Sequence, residues 1–164
     1  MTVIGITGPT GAGKTTVLKE IEALGGAVID CDAVYHEMLE SDRALQESLE
    51  RAFGPLRDGQ GAIDRKKLGA LVFGDPAKLE RLNAIAQRAV VQRTRQMVKE
   101  NRSRGIGLTA IDAFALLESG LADLCTTTVA VLAPAEARVA RIMAREGISE
   151  DYAWARVRAQ RPDQ

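Results

Sequence analysis

This sequence has only two cysteines, no net charge and no long apolar run, and each of these features excludes a class of protein. The two cysteines, Cys31 and Cys125, have no C-x-x-C spacing, and no signal segment opens the chain. Both features are typical of a reduced, cytoplasmic protein. Lysine plus arginine equals aspartate plus glutamate at 22 each, so no overall field draws the chain to nucleic acid. No apolar run reaches the roughly 20 residues of a membrane span.

The sequence has enough apolar residues for one domain with a buried core, since 46% of its 164 residues are hydrophobic. Short apolar segments alternate with helical patterns, which predicts an α/β fold, a parallel sheet with helices on both faces. Strands are predicted at 3–7, 27–30, 108–112 and 128–132. Helices are predicted at 14–24, 33–39, 43–53, 65–73, 76–102, 134–146 and 149–160.

A phosphate-binding loop follows the first predicted strand. The segment Gly8-Pro9-Thr10-Gly11-Ala12-Gly13-Lys14-Thr15 matches G-x-x-x-x-G-K-[ST] between a strand and a helix. Glycines allow backbone N–H groups to approach a triphosphate, the lysine reaches the β- and γ-phosphates, and the threonine hydroxyl is a ligand for Mg²⁺. The predicted ATP-binding residues are Gly8, Thr10, Gly11, Ala12, Gly13, Lys14, Thr15 and Thr16. A glycine turn that binds nothing is the alternative.

Three aspartates lie where predicted strands end. Asp30 and Asp32 are two apart, which on an extended segment would point both carboxylates to one side. Asp32 is then a candidate to orient an attacking hydroxyl and accept its proton; the alternative for this pair is that one aspartate caps the following helix. Asp112 closes the third strand and is a candidate Mg²⁺ ligand, although many strands end in aspartate.

Arginines in the later part of the chain are candidates for a lid over the phosphates. Arg138, Arg141 and Arg145 recur at i, i+3 and i+7, which places them on one helical face. Such a face can neutralise charge that develops on a transferring phosphoryl group. An exposed basic face, salt-bridged to Glu136 or Glu146, is the alternative.

Several sequence blocks together resemble dephospho-coenzyme A kinase over essentially the whole chain. The phosphate loop is shared by many NTPases, whereas the D-R-K-K-L-G and L-N-x-I blocks are more particular to that family. In order, the blocks are Gly8 to Thr15, Val28-Ile29-Asp30-Cys31-Asp32, Asp64-Arg65-Lys66-Lys67-Leu68-Gly69, Leu82-Asn83-Ala84-Ile85, Ile111-Asp112 with Leu116-Leu117-Glu118, and Arg141 to Arg145.

The resemblance implies an activity and a division of the chain. The expected reaction is transfer of phosphate from ATP, with Mg²⁺, to the ribose 3′-hydroxyl of dephospho-coenzyme A. Residues 1–35 and 104–137 are expected to form the nucleotide-binding core of a P-loop NTPase-type sheet. Residues 36–103 resemble the helical coenzyme A (acceptor) subdomain, and residues 138–164 the lid. The family's last strand and helix are expected to be absent after Gln164.

The resemblance also assigns roles to individual residues. Lys14, Asp32, Arg141 and Arg145 are expected to be catalytic, and Thr15 and Asp112 are expected to hold the metal. Expected contacts to the acceptor come from Asp32, Arg65, Gln87, Arg88, Leu116 and Glu118.

The chain departs from the family at Gln87-Arg88, where His-Pro is usual, and at Phe114-Ala115, where a proline is lost. Arg88 is interpreted as a compensating contact to the acceptor. Two other functions stay open: a different P-loop small-molecule kinase, acting on a nucleoside monophosphate or a polyol, and a non-catalytic ATP-dependent regulator. No nucleic-acid or membrane partner is expected, and a monomer is favoured.

Overall fold

The computed structural model describes residues 1–113 and 115–160 and contains a four-stranded sheet in the order β2-β3-β1-β4. The central strand β1 is parallel to both β3 and β4. The predicted parallel sheet flanked by helices is therefore confirmed. The strands are β1 Thr2–Thr7, β2 Ala27–Asp30, β3 Leu108–Asp112 and β4 Thr127–Ala130.

Within the described residues the chain also forms seven α-helices, and one short 3-10 turn, Leu121–Leu124, was not predicted. The largest difference from the sequence prediction is at the second helix, which begins at Cys31 directly after β2 rather than at 33. The helices are α1 Lys14–Ala23, α2 Cys31–Ser41, α3 Arg43–Phe53, α4 Arg65–Val72, α5 Pro76–Ser103, α6 Ala135–Glu146 and α7 Glu150–Ala159.

The chain divides into two compact units, one of which comprises Met1–Val28 and the described residues from Asn101 onward. In that unit the apolar face of α1 packs on the sheet, where Ile6, Ile21 and Ala110 are buried together. A second cluster joins α6 to α7 through Val139, Ile142, Ala153 and Val157. Burial of such side chains contributes roughly 1.5–3 kcal/mol each, which holds the α6–α7 pair together.

The other unit, Ile29–Glu100, is helical. All four of its helices begin after an aspartate whose carboxylate accepts backbone N–H groups of the first turn: Asp30 for α2, Asp42 for α3, Asp64 for α4 and Asp75 for α5. Such caps satisfy N–H groups that have no partner within the helix. They explain why the helical pattern breaks at these positions.

The 28-residue helix α5 is the longest element. Neither it nor any other helix among the described residues has the length and apolar character needed to cross a membrane. The predicted lid extends to residue 164, and residues 161–164 lie outside the described residues, as does Phe114 of the block compared with the family.

Candidate active site

The phosphate loop joins the end of β1 to the start of α1 in a backbone path that requires glycine. Gly8, Gly11 and Gly13 have φ values of 142°, 79° and 108°, which other residues rarely adopt. A Cβ on Gly8 would lie 2.3 Å from the carbonyl oxygen of Val131, and one on Gly11 would lie 2.8 Å from that of Arg138. The loop is therefore packed against backbone on two sides.

The start of α1 is open to an anion. Its N-cap is Gly13, which offers no side-chain cap, and the first turn contains no acidic residue. Such a helix end attracts anions through its unpaired N–H groups and its dipole. Lys14 folds back so that its Nζ donates to the carbonyl of Gly8 at 2.7 Å, which keeps the ammonium group beside the loop.

Two oxygen donors of this unit suit Mg²⁺. Thr15 is exposed in the first turn of α1, and Asp112 ends β3 as the register partner of Ile6 on β1. Hydroxyl and carboxylate oxygens are ligands that Mg²⁺ accepts, together with water and substrate phosphates. Residues 1–113 and 115–160 contain no group of three or more His, Cys, Asp or Glu side chains placed to hold a metal. The hydroxyl of Thr15 and the carboxylate of Asp112 are too few to hold Mg²⁺ alone, so they fit an ion that a nucleotide also binds.

The three predicted lid arginines have different surroundings. Arg138 is only 5% exposed, and its Nε donates to the carbonyl of Thr10 at 3.1 Å. Arg141 donates through Nη1 to the carbonyls of Gly11 and Ala12, each at 3.0 Å. Arg145 instead pairs with Glu146 at 2.6 Å, as the salt-bridged alternative expected. The three arginines lie on one helix, as predicted, but their surroundings differ because α6 packs against the loop along Arg138.

Gln160 at the end of α7 also contacts the phosphate loop, and no sequence pattern indicated this contact. Its Oε1 accepts from the backbone N–H of Thr10 at 3.2 Å, and its Nε2 donates to the Thr10 hydroxyl at 3.0 Å. Arg138 donates to the same Oε1. Thr10, Arg138 and Gln160 thus form one hydrogen-bonded cluster.

In the helical unit, Asp30 at the end of β2 and Asp32 in the first turn of α2 have different surroundings. The Oδ1 of Asp30 accepts the backbone N–H groups of Asp32 and Ala33, at 2.9 and 3.0 Å. Asp32 lies in the first turn of α2 and is exposed. The expectation that both carboxylates share one side of an extended segment was therefore wrong, because the helix begins directly after Asp30. The capping alternative holds for Asp30, and Asp32 keeps an accessible carboxylate.

Arg65, a predicted acceptor contact, is held by α2. Its Nη2 lies 3.1 Å from Nε2 of His36, one helical turn beyond Asp32. A guanidinium can only donate, so the imidazole nitrogen is the acceptor in this contact. Burial raises the pKa of the neighbouring Tyr35, and the positive charge of Arg65 opposes that rise.

The remaining predicted acceptor residues lie in different environments. Gln87 and Arg88 are exposed on α5. Leu116 is 1% exposed, and its side chain occupies the space that a Cβ on Gly5 would need, so it packs in the core. Glu118 is exposed.

Comparison with known proteins decides the family. The model of the dephospho-CoA kinase family matches residues 2–164. The chain belongs to the dephospho-CoA kinase family. The dephospho-CoA kinase of Dehalococcoides mccartyi is 36% identical over 164 residues, which are 99% of this chain and 82% of that protein. That of Carboxydothermus hydrogenoformans is 37% identical over 98% of this chain and 78% of its own length.

Solved structures share the fold of this chain. The protein TT1252 from Thermus thermophilus superposes with a TM-score of 0.72 at 37% identity, covering 98% of this chain and 81% of that one. Dephospho-CoA kinase from Campylobacter jejuni gives a TM-score of 0.66 at 21% identity, covering 96% and 79%, and this second likeness shows the fold alone. The family consists of kinases that convert dephospho-CoA to CoA with ATP.

Proposed function

We propose that this chain transfers the terminal phosphoryl group of ATP to the ribose 3′-hydroxyl of dephospho-CoA, with Mg²⁺, giving CoA and ADP. The observation that carries the proposal is the phosphate loop, with three glycines at positive φ and Lys14 at the first turn of an uncapped helix. Membership of the dephospho-CoA kinase family supports the choice of acceptor.

Lys14 and Arg141 are the cations proposed to stabilise the transferring phosphoryl group. Both already donate to carbonyls of the loop, Lys14 to Gly8 and Arg141 to Gly11 and Ala12. Phosphate oxygens are stronger acceptors than neutral carbonyls, so both groups exchange partners when ATP binds. Arg145 is proposed to join them, which requires it to leave Glu146.

Asp32 is proposed to orient the 3′-hydroxyl and to receive its proton. A carboxylate is a weak base for an alcohol, but the loose transition state of phosphoryl transfer releases the proton late. Positioning therefore matters more than basicity. Because the capping role falls to Asp30, the Asp32 carboxylate is not required to begin α2.

Thr15 and Asp112 are the residues proposed to hold Mg²⁺. A Mg²⁺ ion held there would supply charge neutralisation for the phosphates of ATP. Arg65, Gln87, Arg88 and Glu118 are proposed to contact the acceptor, and of these Arg65 is fixed by its contact with His36.

ADP release with a panel of acceptors tests the proposal. We expect turnover with dephospho-CoA and none with AMP, adenosine or shikimate. Lys14→Ala is the matched control: it should abolish turnover while the circular dichroism spectrum stays unchanged, because Lys14 stabilises charge and packs in no core. Preferential turnover of AMP or shikimate would favour another small-molecule kinase, and ATP hydrolysis that ignores every acceptor would favour a regulator.

A further inference from the structure

The phosphate loop contains a turn whose central peptide has two possible orientations. Pro9 to Ala12 form a β-turn, because the N–H of Ala12 donates to the carbonyl of Pro9 at 3.2 Å. Gly11, the third residue of this turn, has a φ of 79°, as a type II turn requires at that position. In a type I turn the central peptide, here Thr10–Gly11, is turned over by roughly 180°. Contacts from outside the turn therefore decide which orientation the peptide adopts.

The two orientations present opposite groups to an anion. In a trans peptide the carbonyl and the N–H point in opposite directions, and the Thr10–Gly11 peptide is trans. The Thr10 carbonyl accepts from Nε of Arg138 at 3.1 Å, so the N–H of Gly11 points away from that guanidinium. Across residues 1–113 and 115–160 this N–H donates to no acceptor. The observed orientation thus leaves a donor for a phosphate, whereas the reverse orientation would present a carbonyl oxygen.

Gln160 holds the peptide on the other side of Thr10. Its Oε1 accepts from the N–H of Thr10, and its Nε2 donates to the Thr10 hydroxyl. The same Oε1 accepts from Nη2 of Arg138. A carboxamide can make all these contacts because it carries an acceptor and a donor side by side. Together, Gln160 and Arg138 bind the N–H, the hydroxyl and the carbonyl of Thr10, which fixes both peptides that flank it.

The packing of α7 on α6 brings Gln160 to the loop. Ala153 and Val157 are buried against α6, and they precede Gln160 at spacings that a helix places on one face. Gln160 follows the last helical residue of α7 with an extended backbone, at φ −78° and ψ 152°. On α6, Val139 belongs to the same apolar cluster and is the neighbour of Arg138 in sequence. The apolar contacts between the two helices therefore support the polar contacts with Thr10.

The cations that bind carbonyls of the loop differ in burial. Arg138 is buried, whereas Arg141, which donates to the next two carbonyls, is exposed. A buried polar group that loses its partner costs free energy, and no buried side-chain nitrogen or oxygen of the described residues lacks a partner. Arg138 is thus held in place, while Arg141 is free to turn toward a phosphate.

We propose that Gln160 is a positioning residue: with Arg138 it holds the Thr10–Gly11 peptide so that the N–H of Gly11 points to the phosphates of bound ATP. Gln160 acts through Thr10 and needs no contact with the nucleotide. Loss of its hydrogen bonds lets the central peptide turn over, which removes a donor and presents a carbonyl oxygen to the phosphates. The proposal rests on the proposed binding of ATP by this loop and is independent of the acceptor.

Calorimetric titration of the full chain with ATP, in the absence of any acceptor, tests the role of Gln160. Gln160→Met keeps the length of the side chain and removes both polar atoms, so we expect the Kd for ATP to rise by roughly 10-fold. The KM for ATP should rise likewise, while the KM for dephospho-CoA stays at the parent value. Gln60→Met is the matched control, because Gln60 is exposed in a turn of the helical unit. It should bind ATP like the parent.

A double-mutant cycle tests whether Gln160 acts through Thr10. Thr10→Val keeps the shape of the side chain and removes the hydroxyl to which Gln160 donates, so we expect the Kd for ATP to rise by roughly 2- to 5-fold. The double variant should bind ATP no more weakly than Gln160→Met, because the contact is already lost. Additive losses would overturn the proposal. If Gln160→Met does not fold, a parent-like Kd for Thr10→Val would overturn it too.

The backbone amide resonance of Gly11 in nitrogen-15 NMR spectra reports the turn directly. In the parent we expect one resonance, which shifts when ATP is added because the N–H gains a phosphate acceptor. In Gln160→Met the resonance should double or broaden, because two turn forms exchange, and in Gln60→Met it should match the parent. A lower midpoint of urea unfolding in Gln160→Met, together with a parent-like Gly11 resonance and a parent-like Kd for ATP, would show a structural role only and would overturn the proposal.

The binding measurements separate this proposal from the proposed function. If the parent binds ATP but leaves dephospho-CoA unphosphorylated, the proposed function fails, and the Kd values of the Gln160→Met and Thr10→Val variants still decide the role of Gln160. If the parent does not bind ATP, both proposals fail.

Discussion

At the scale of single residues, Gly8 is the position where an added methyl group has the most direct consequence. Gly8→Ala places a Cβ 2.3 Å from the Val131 carbonyl at a φ of 142°, and strain of this kind costs roughly 1–3 kcal/mol. We expect a lower midpoint of urea unfolding and weaker ATP binding. Gly107→Ala is the control: its Cβ would meet nothing within 4 Å, so its midpoint should match the parent. Equal midpoints for both variants would contradict this packing of the loop.

Asp30 is expected to contribute to stability and Asp32 to catalysis, although the two aspartates are only two residues apart. Asp30→Ala should lower the free energy of unfolding by about 1 kcal/mol, because the α2 cap is lost, whereas Asp30→Asn should retain most of it. Asp32→Asn should reduce kcat by roughly 10²- to 10⁴-fold with little change in ATP affinity. Denaturant unfolding and steady-state kinetics measure the two effects. A collapse of ATP binding in Asp32→Asn would instead assign that residue to the nucleotide.

At the scale of elements, α6 contacts the phosphate loop through two of its three arginines, Arg138 and Arg141, and of these Arg138 is the buried one. Arg138→Ala removes a 5%-exposed guanidinium that donates to Thr10 and Gln160, and we expect a loss of roughly 2–3 kcal/mol in unfolding free energy. Arg145→Ala should change that free energy by less than about 0.5 kcal/mol, since an exposed ion pair contributes little. Chemical unfolding of the two variants side by side measures the difference; equal losses would show that the Arg138 contacts do not stabilise the protein.

The strands were predictable from the sequence and the site only in part. Continuous apolar runs located β2 and β3 to the residue, because strands buried in a parallel sheet leave no polar face. The 3-10 turn at Leu121–Leu124 has no comparable periodicity. The prediction for Asp30 and Asp32 failed because α2 begins directly after Asp30. Side chains two residues apart lie on the same side of a strand, but not where a helix begins between them. The contact of Gln160 with Thr10 depends on how α7 packs on α6, which no local pattern encodes.

At the scale of the whole molecule, the zero net charge hides strong local charge. Six cationic side chains line one cleft of the helical unit, while the phosphate loop offers backbone N–H groups and a single lysine. Zero net charge predicts no general attraction to polyanions, so any attraction of an anion has to come from local features such as the start of α1 and Lys14. The acceptor contacts predicted from the sequence included Arg65 and Arg88; in the structure Arg65 contacts His36, and Arg88 is exposed on α5.

The identity of the product tests the central claim of the proposed function most directly. Incubation of the chain with ATP, Mg²⁺ and dephospho-CoA should produce a new phosphomonoester on the ribose 3′-oxygen, visible by phosphorus NMR and matched to authentic CoA. Lys14→Ala under the same conditions should produce none. A phosphate appearing at another position, or ADP released with dephospho-CoA recovered unchanged, would contradict the account.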